Sequence, residues 1–446
     1  MILSAWMWFL LAGAVPGLSV ARAAERLLPP KLLADPPTTR SSPSLSPLFG
    51  AAEDPSPERV FLTLTAEPAT SQAVSWRARP TSNRLFGAIL RASGGPLREK
   101  TAKLVPATVS RITYGAGRTA VQASVEFHGL QPATLYAYRV GDGQAWSEWN
   151  QFRTAAAEPA PFRFLYLGDL QNGIRTHGSR VLRQAVLQAP DARFIVHAGD
   201  LVTDPFNDRL WHEWYAAAGW IYAAIPSFLT PGNHDLRGGA VDQIWRPQFA
   251  LPHNGPPGQD ELSYSVDYQG VRLISFNGNA YTDRENLKWL EATLSARTAS
   301  WTIVVSHQPL YATGGTRDSS RRRAVLMPLY DKYGVDLVLQ GHDHTYGRTQ
   351  KIHAGRVVGA TEPGVVYATS VSGSKMYKLN PTSRPFMARL AADLQLFQVV
   401  AITGERLTYE AYTADGARFD SFELRKRGAD RTELIDIAEP GGLLPP

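Results

Sequence analysis

The stretch "VDLVLQGHDHTYGR", residues 335–348, decides how this chain is read. It opens as a buried strand, with Val335, Leu337, Val338 and Leu339 apolar, then breaks at Gly341 to present His342, Asp343 and His344. A core strand has no packing use for two histidines two residues apart at its end, whereas paired imidazoles suit a metal. Such a site needs further donors, and the chain supplies them in one recurring form. "FRFLYLGD" ends in Asp169, "ARFIVHAGD" in Asp200, "IPSFLTPGNHD" in Asn233, His234 and Asp235, and "WTIVVSHQP" carries His307.

Between these five apolar strands lie helical stretches. Residues 208–224 are rich in Trp and Ala, residues 284–297 repeat Leu287, Leu290 and Leu294 behind a Thr282/Glu285 capping box, and 319–333 form a third. Alternation of strand and helix predicts an α/β domain with a largely parallel sheet. Ligands on such sheets bind at the carboxyl ends of the strands, so five segments aim donors at one edge. The set is two carboxylates, one amide and three histidines. That exceeds one tetrahedral zinc and suits two adjacent metals, which together clamp a phosphoryl group and activate a water. After residue 361, "LQLFQVVAIT", "ERLTYEAYT" and "RFDSFELR" return to β and are expected to complete a second sheet of the same domain; the tail from Gly428 reads as loose.

Upstream, residues 58–155 are all-β. "VFLTLT", "AVSWRA", "TAVQASVEF" and "TLYAYRVG" are short strands divided by turn residues, and Trp76 alternates with polar neighbours as a sandwich-core residue does. Residues 24–57 carry eight prolines with serines between and read as an extended linker. The first twenty residues are almost all apolar, and "ARA" at 21–23 matches a cleavage pattern, so 1–23 reads as a leader that directs export, with an uncleaved anchor as the competing reading. No later segment is long and apolar enough to cross a membrane.

Composition narrows the chemistry. The chain of 446 residues has no cysteine, which excludes disulfides, zinc fingers, iron–sulfur clusters and thiol nucleophiles. Any metal must be held by oxygen or imidazole donors, which permits iron, zinc or manganese. The net charge of +6 falls to +5 without the leader, whose one charged residue is Arg22. That surplus is small, so nucleic acid is not the main partner, while an anionic small substrate fits. Arg321, Arg322 and Arg323 are the densest basic cluster and read as a solvated helix face; His197 reads as a buried, hydrogen-bonded histidine.

The order GD, GD, GNHD, H, GHDH resembles the metallophosphoesterase signature, and "VVSH", "GHDHTYGR" and the preceding sandwich resemble its purple acid phosphatase branch. The resemblance covers roughly residues 58–425. It implies a fibronectin type III-like all-β sandwich over 58–155, then an α/β metallophosphoesterase domain over 160–425 with two packed mixed sheets flanked by helices, and a tail over 426–446. Carried over residue by residue, Asp169 and His344 would bind the first of two metals, Asp200 would bridge both, and Asn233, His307 and His342 would hold the second. His234 would contact phosphate and protonate the leaving alkoxide, Asp235 could orient it, and a metal-bound hydroxide would attack phosphorus in line. Asp343, between two ligand histidines, is expected to point away. The implied activity is hydrolysis of phosphate esters by an acid phosphatase-like enzyme, secreted or periplasmic. Phosphomonoesters are favoured; a phosphodiesterase on the same site, and a non-catalytic exported binding or adhesion protein, are the alternatives. Two positions depart from the purple enzymes. Thr203 stands where they carry an iron-binding tyrosine, which predicts no tyrosinate-to-iron colour. Gln171 stands where they have glycine and many metallophosphoesterases a ligand histidine; it would lend an amide oxygen or hydrogen-bond a metal-bound water.

Overall fold

The computed structural model describes residues 56–78, 84–296, 299–428 and 431–437. The stretches read as a leader (1–23) and, nearly all of it, as a linker (24–57), with about half of the expected tail over 426–446, lie outside them. Two large sheets dominate. The first has eleven strands, with Phe162–Leu167, Ile195–His197 and Ser227–Leu229 parallel at its centre. The second has seven, with Val271–Ser275, Trp301–Val305, Leu337–Gln340 and Val366–Thr369 parallel and antiparallel strands at both sides. The motif-bearing strands thus divide between two mixed sheets rather than sharing one. The C-terminal strands Leu396–Thr403, Arg406–Thr413 and Arg418–Lys426, expected to build the second sheet, instead extend the first beside Phe162–Leu167. Strand pairing is set by contacts remote in sequence, so the apolar pattern alone does not assign them to a sheet. The stretch after Gly428 is also not loose throughout: Thr432–Asp436 adds the edge strand.

The helices differ from expectation at their ends. The 208–224 stretch splits into Asp208–Ala218 and Ile221–Ala224, because Gly219 adopts a left-handed φ of 57°. Helix Arg284–Ser295 is capped by Asp283, whose carboxylate accepts from the Asn286 amide, and not by Thr282.

The N-terminal sandwich is not a separate bead. Its strand Glu58–Thr63 lies parallel to Ser227–Leu229, with the Leu64 amide donating to the Ser227 carbonyl at 3.0 Å. Strands Ser71–Ala78, Thr119–His128 and Thr108–Thr113 continue the same sheet outward. Four more, Lys103–Pro106, Phe86–Arg91, Leu135–Gly141 and Asn150–Arg153, form the facing sheet over a core that includes Trp76, Phe127 and Tyr138. Tyr136 closes a corner of the sandwich, its hydroxyl accepting from the Gln131 amide at 2.9 Å. Phe61 packs among Trp214, Tyr222 and Phe249 with ring centroids 5.1–5.5 Å away, so the sandwich shares the core of the α/β region.

The two large sheets are pinned to each other by buried polar groups. Arg348, the last residue of the opening stretch, lies in the second sheet and grips Asp420 of the first, Nε to Oδ2 at 2.7 Å and Nη2 to Oδ1 at 2.9 Å. Both side chains are fully buried, and the Tyr346 hydroxyl donates to the same carboxylate at 2.7 Å. Tyr166 of the first sheet accepts from the Gln340 amide of the second at 2.9 Å and donates back to its carbonyl. Tyr264 makes the same two-way bond to the backbone of Leu229, at 3.0 and 2.7 Å. Removing one member of a buried ion pair strands the other in low dielectric, at a cost of about 3–5 kcal/mol. Asp420→Ala is therefore expected to lower unfolding stability by about that amount in urea titration. A loss below about 1 kcal/mol would show that the pair does not hold the sheets together.

Candidate metal and phosphoester site

The site lies where the carboxyl ends of the two sheets meet. The first sheet delivers oxygen donors: Asp169 after Phe162–Leu167, Asp200 after Ile195–His197, and Asn233 after Ser227–Leu229. The second delivers nitrogen donors: His307 after Trp301–Val305, and His342 and His344 after Leu337–Gln340. Asp169, Asp200, His342 and His344 all have positive φ, between 47° and 74°. Non-glycine residues avoid that region unless the surroundings impose it, and such residues gather at functional sites. Here the imposition is hydrogen bonding: the His342 amide donates to Asp169 Oδ2, and the His234 amide to Asp200 Oδ1 at 2.8 Å.

The glycines before the donors serve close approach. A Cβ on Gly341 would overlap Asp169 Oδ2, and one on Gly232 would overlap Asp200 Oδ1. Gly199, at φ 84°, passes against Gly232 and the His307 ring.

Five of the six donors form two linked groups, and Asn233 follows Gly232 in the loop that lies against Asp200. Asp200, His307 and His342 offer atoms that all lie within 4.8 Å of one another. His307 Nε2 is 3.2 Å from Asp200 Oδ2 and 3.2 Å from His342 Nδ1. In the second group His344 Nε2 is 3.6 Å from Asp169 Oδ1. Gln171 joins them, its Nε2 lying 3.0 Å from Asp200 Oδ2 and 3.2 Å from His344 Nε2. Carbonyls fix the imidazoles: His307 Nδ1 donates to Ala198 at 2.7 Å and His344 Nδ1 to Lys375 at 3.0 Å. A carbonyl can only accept, so each ring keeps a proton on Nδ1 and turns Nε2 inward.

The electrostatics favour a cation. Burial lowers the His342 pKa to about 2, with His307 adding to the effect, and lowers that of His344 to about 4. Both rings are therefore neutral, ligand-ready imidazoles at neutral pH. His307 behaves oppositely: burial disfavours its charge, but Asp200 and Asp169 outweigh burial and raise it to about 10. Burial also pushes Asp169 well above the usual carboxylate range, whereas at Asp200 the same penalty is outweighed by His307, giving about 2. Two carboxylates in a water-poor seam thus draw positive charge to themselves, and a bound cation would compete with the His307 proton. Three buried oxygens, Asp169 Oδ1, Asn233 Oδ1 and Gln171 Oε1, have no hydrogen-bond partner. Unpaired buried acceptors are costly, and cations satisfy them. The donors present therefore fit hard or borderline divalent metals.

His234 stands beside this cluster, its Nδ1 donating to the Thr203 carbonyl at 2.9 Å. Asp235, expected to orient His234, does something else. Its Oδ1 accepts from Leu201 at 2.9 Å and Val202 at 3.4 Å, and its Oδ2 from Gly232 at 2.8 Å. It fastens the Asp200 loop to the Asn233 loop, and burial, with Asp200 nearby, lifts its pKa to about 7. The orienting group for His234 is the Thr203 backbone carbonyl, at the very position where sequence comparison sees only a missing tyrosine. Asp343 points away from the donors, accepting from the Thr313 and Gly314 amides and pairing with Arg317 Nη1 at 2.7 Å. Arg317 also donates to the His342 carbonyl at 2.9 Å, a supporting contact with no signal in the motif.

Other expectations fared variously. His197 is buried between Trp214 and Tyr222, but its Nε2 has no partner, and burial drops its pKa to about 3. The arginine cluster is not one solvated face: Arg321 is exposed, but Arg322 is half-buried on the Tyr281 ring at 4.5 Å, and Arg323 donates to the Leu310 carbonyl at 2.9 Å.

Two sheets that close around paired oxygen and imidazole donors define a metallophosphoesterase, a hydrolase of phosphoric esters. Residues 162–346 match the calcineurin-like phosphoesterase family, and residues 57–154 match the purple acid phosphatase N-terminal domain. Over these two regions the chain is similar to the purple acid phosphatase-like metallophosphoesterases. It is 29% identical over 334 residues to acid phosphatase type 7 of Homo sapiens, covering 68% of this chain and 73% of that protein. It is 24% identical over 266 residues to purple acid phosphatase 15 of Arabidopsis thaliana, covering 51% and 49%. A solved purple acid phosphatase from yellow lupin seeds shares the fold, with a TM-score of 0.70 at 18% identity over 82% of this chain and 74% of the other. The structure of PhoD does so with a TM-score of 0.62 at 13% identity, over 87% and 94%. The family implies phosphate ester substrates and a dinuclear metal centre. No helix among the described residues is long and apolar enough to cross a membrane.

The glycine geometry gives a direct test. Gly341→Ala drives a methyl into Asp169 and is expected to abolish metal retention, as judged by elemental analysis after dialysis. Gly94→Ala, where a Cβ would meet nothing within 4 Å, is expected to leave metal content unchanged. Full metal content in Gly341→Ala would contradict the role given to that close approach.

Proposed function

We propose that the protein is an exported binuclear metal phosphatase that hydrolyses phosphomonoesters. The observation that carries the reading is the convergence of three oxygen donors from one sheet on three imidazoles from the other. Asp169 and His344 would hold one metal, Asn233, His307 and His342 the other, and Asp200 would bridge them. When bound, the pair supplies Lewis acidity that withdraws charge from the phosphoryl oxygens and activates water. The protein's own residues do the rest. The carbonyls of Ala198 and Lys375 keep two rings in the tautomer that faces inward. The Thr203 carbonyl holds the His234 Nδ1 proton and so turns Nε2 toward the site, where the ring as imidazolium would contact phosphate and give its Nε2 proton to the departing alkoxide. Asp235 keeps His234 in place indirectly, by tying the backbone on which it sits.

Similarity to acid phosphatases favours monoesters over diesters. Export rests on the apolar leader at 1–23, with 24–57 as a tether to a sandwich over 58–155 and a catalytic domain from 160.

Elemental analysis of the purified chain, with hydrolysis of chromogenic monoesters and diesters, tests the reading. About two metals per chain are expected, together with loss of metal and activity in Asn233→Ala and His342→Ala. His234→Ala should keep its metals yet lose about 10²–10⁴-fold in kcat on an alkyl monoester, and much less on a nitrophenyl ester whose leaving group needs no proton. An equal loss on both esters would remove His234 as proton donor. Faster diester hydrolysis would replace the monoester reading, and no metal with no hydrolysis after iron, zinc or manganese loading would leave a binding protein.

A further inference from the structure

Gln171 is fully buried two residues after Asp169, and its amide sits between the two donor groups. Its Nε2 donates to Asp200 Oδ2 and to the inward lone pair of His344 Nε2. A group that donates at once to a carboxylate and an imidazole lone pair, both held out for a metal, stands where a cation would stand. The other amide atom, Oε1, is buried without a partner. Half a turn about the last side-chain bond exchanges the two ends and presents that oxygen to the same place. An amide oxygen is a neutral, hard donor suited to zinc, manganese or ferrous iron.

The donor count agrees. Without Gln171 the first position has three protein donors, Asp169, Asp200 and His344, whereas the second has four, Asp200, Asn233, His307 and His342. With it, both positions have four protein donors, each including one amide, and an ion that takes five or six ligands keeps room for water. Only two carboxylates serve both positions, and the amides add no charge, so the set suits divalent ions.

We infer that Gln171 is a protein ligand, through Oε1, of a divalent cation at the Asp169–Asp200–His344 position. The inference rests on the binuclear reading above. Its test compares the full-length chain with Gln171→Ala and Gln171→Glu by elemental analysis after equilibration with Mn²⁺ or Zn²⁺ against a competing chelator. Visible spectra of the Co²⁺-loaded proteins follow coordination independently of activity. The wild-type chain is expected to hold two ions. Gln171→Ala should keep one at wild-type affinity, bind the other roughly tenfold or more weakly, and change one set of Co²⁺ bands. Gln171→Glu, which keeps an oxygen and adds charge, should bind that ion at least as tightly as wild type. Gln171→Ala holding both ions as tightly as wild type, or tighter, would overturn the inference, as would Gln171→Glu binding no better than Gln171→Ala. A wild-type chain with fewer than two ions would overturn the binuclear reading itself, and this inference with it.

Discussion

Everything at the site depends on the carboxyl ends of two sheets being held in register across a seam. Tyr166 does this most directly. Its hydroxyl bonds both backbone groups of Gln340, so the strand that leads to Asp169 is tied to the strand that leads to His342. Tyr264 repeats the tie at Leu229, two residues before the turn that carries Gly232 and Asn233. Farther back, Arg348 and Asp420 fix the same two sheets at a buried point. Each sheet alone would carry one kind of donor, oxygen or nitrogen. Only their apposition makes a mixed set.

That apposition has a local cost. Four donors sit in a backbone region that L-residues avoid, at about 1–3 kcal/mol each. The cost is offset where it arises, because amides next to the donors bond the carboxylates across the seam, as at His342 to Asp169 and His234 to Asp200. Asp235 adds a third clamp between loops. The donors are thus immobilised by backbone contacts before any ligand arrives, which is what preorganised charge stabilisation requires.

The donors themselves were legible in the sequence, because a strand that ends in Gly-Asp, Gly-Asn-His-Asp or Gly-His-Asp-His breaks the apolar pattern with side chains of known chemistry. What positions them was not. The carbonyls of Thr203, Ala198 and Lys375 orient three histidines, and a backbone atom leaves no trace in residue identity. Tyr166 hides in an apolar run where its hydroxyl looks incidental. Asp235 looked like a catalytic partner because it follows His234 in sequence, yet adjacency along a chain does not decide where a carboxylate turns. The sandwich and the α/β region were also legible, from a change of period. The sheet to which the C-terminal strands belong was not, since strand pairing is settled by contacts remote in sequence.

The strand Glu58–Thr63 alongside Ser227–Leu229 carries one more consequence. Because the sandwich continues the catalytic sheet, the boundary between the two matched families is a line of hydrogen bonds and not a hinge. Cutting the gene there would leave Ser227–Leu229, the strand that feeds Asn233, as a raw apolar edge open to any passing strand. A catalytic half taken alone would therefore be prone to assemble with copies of itself.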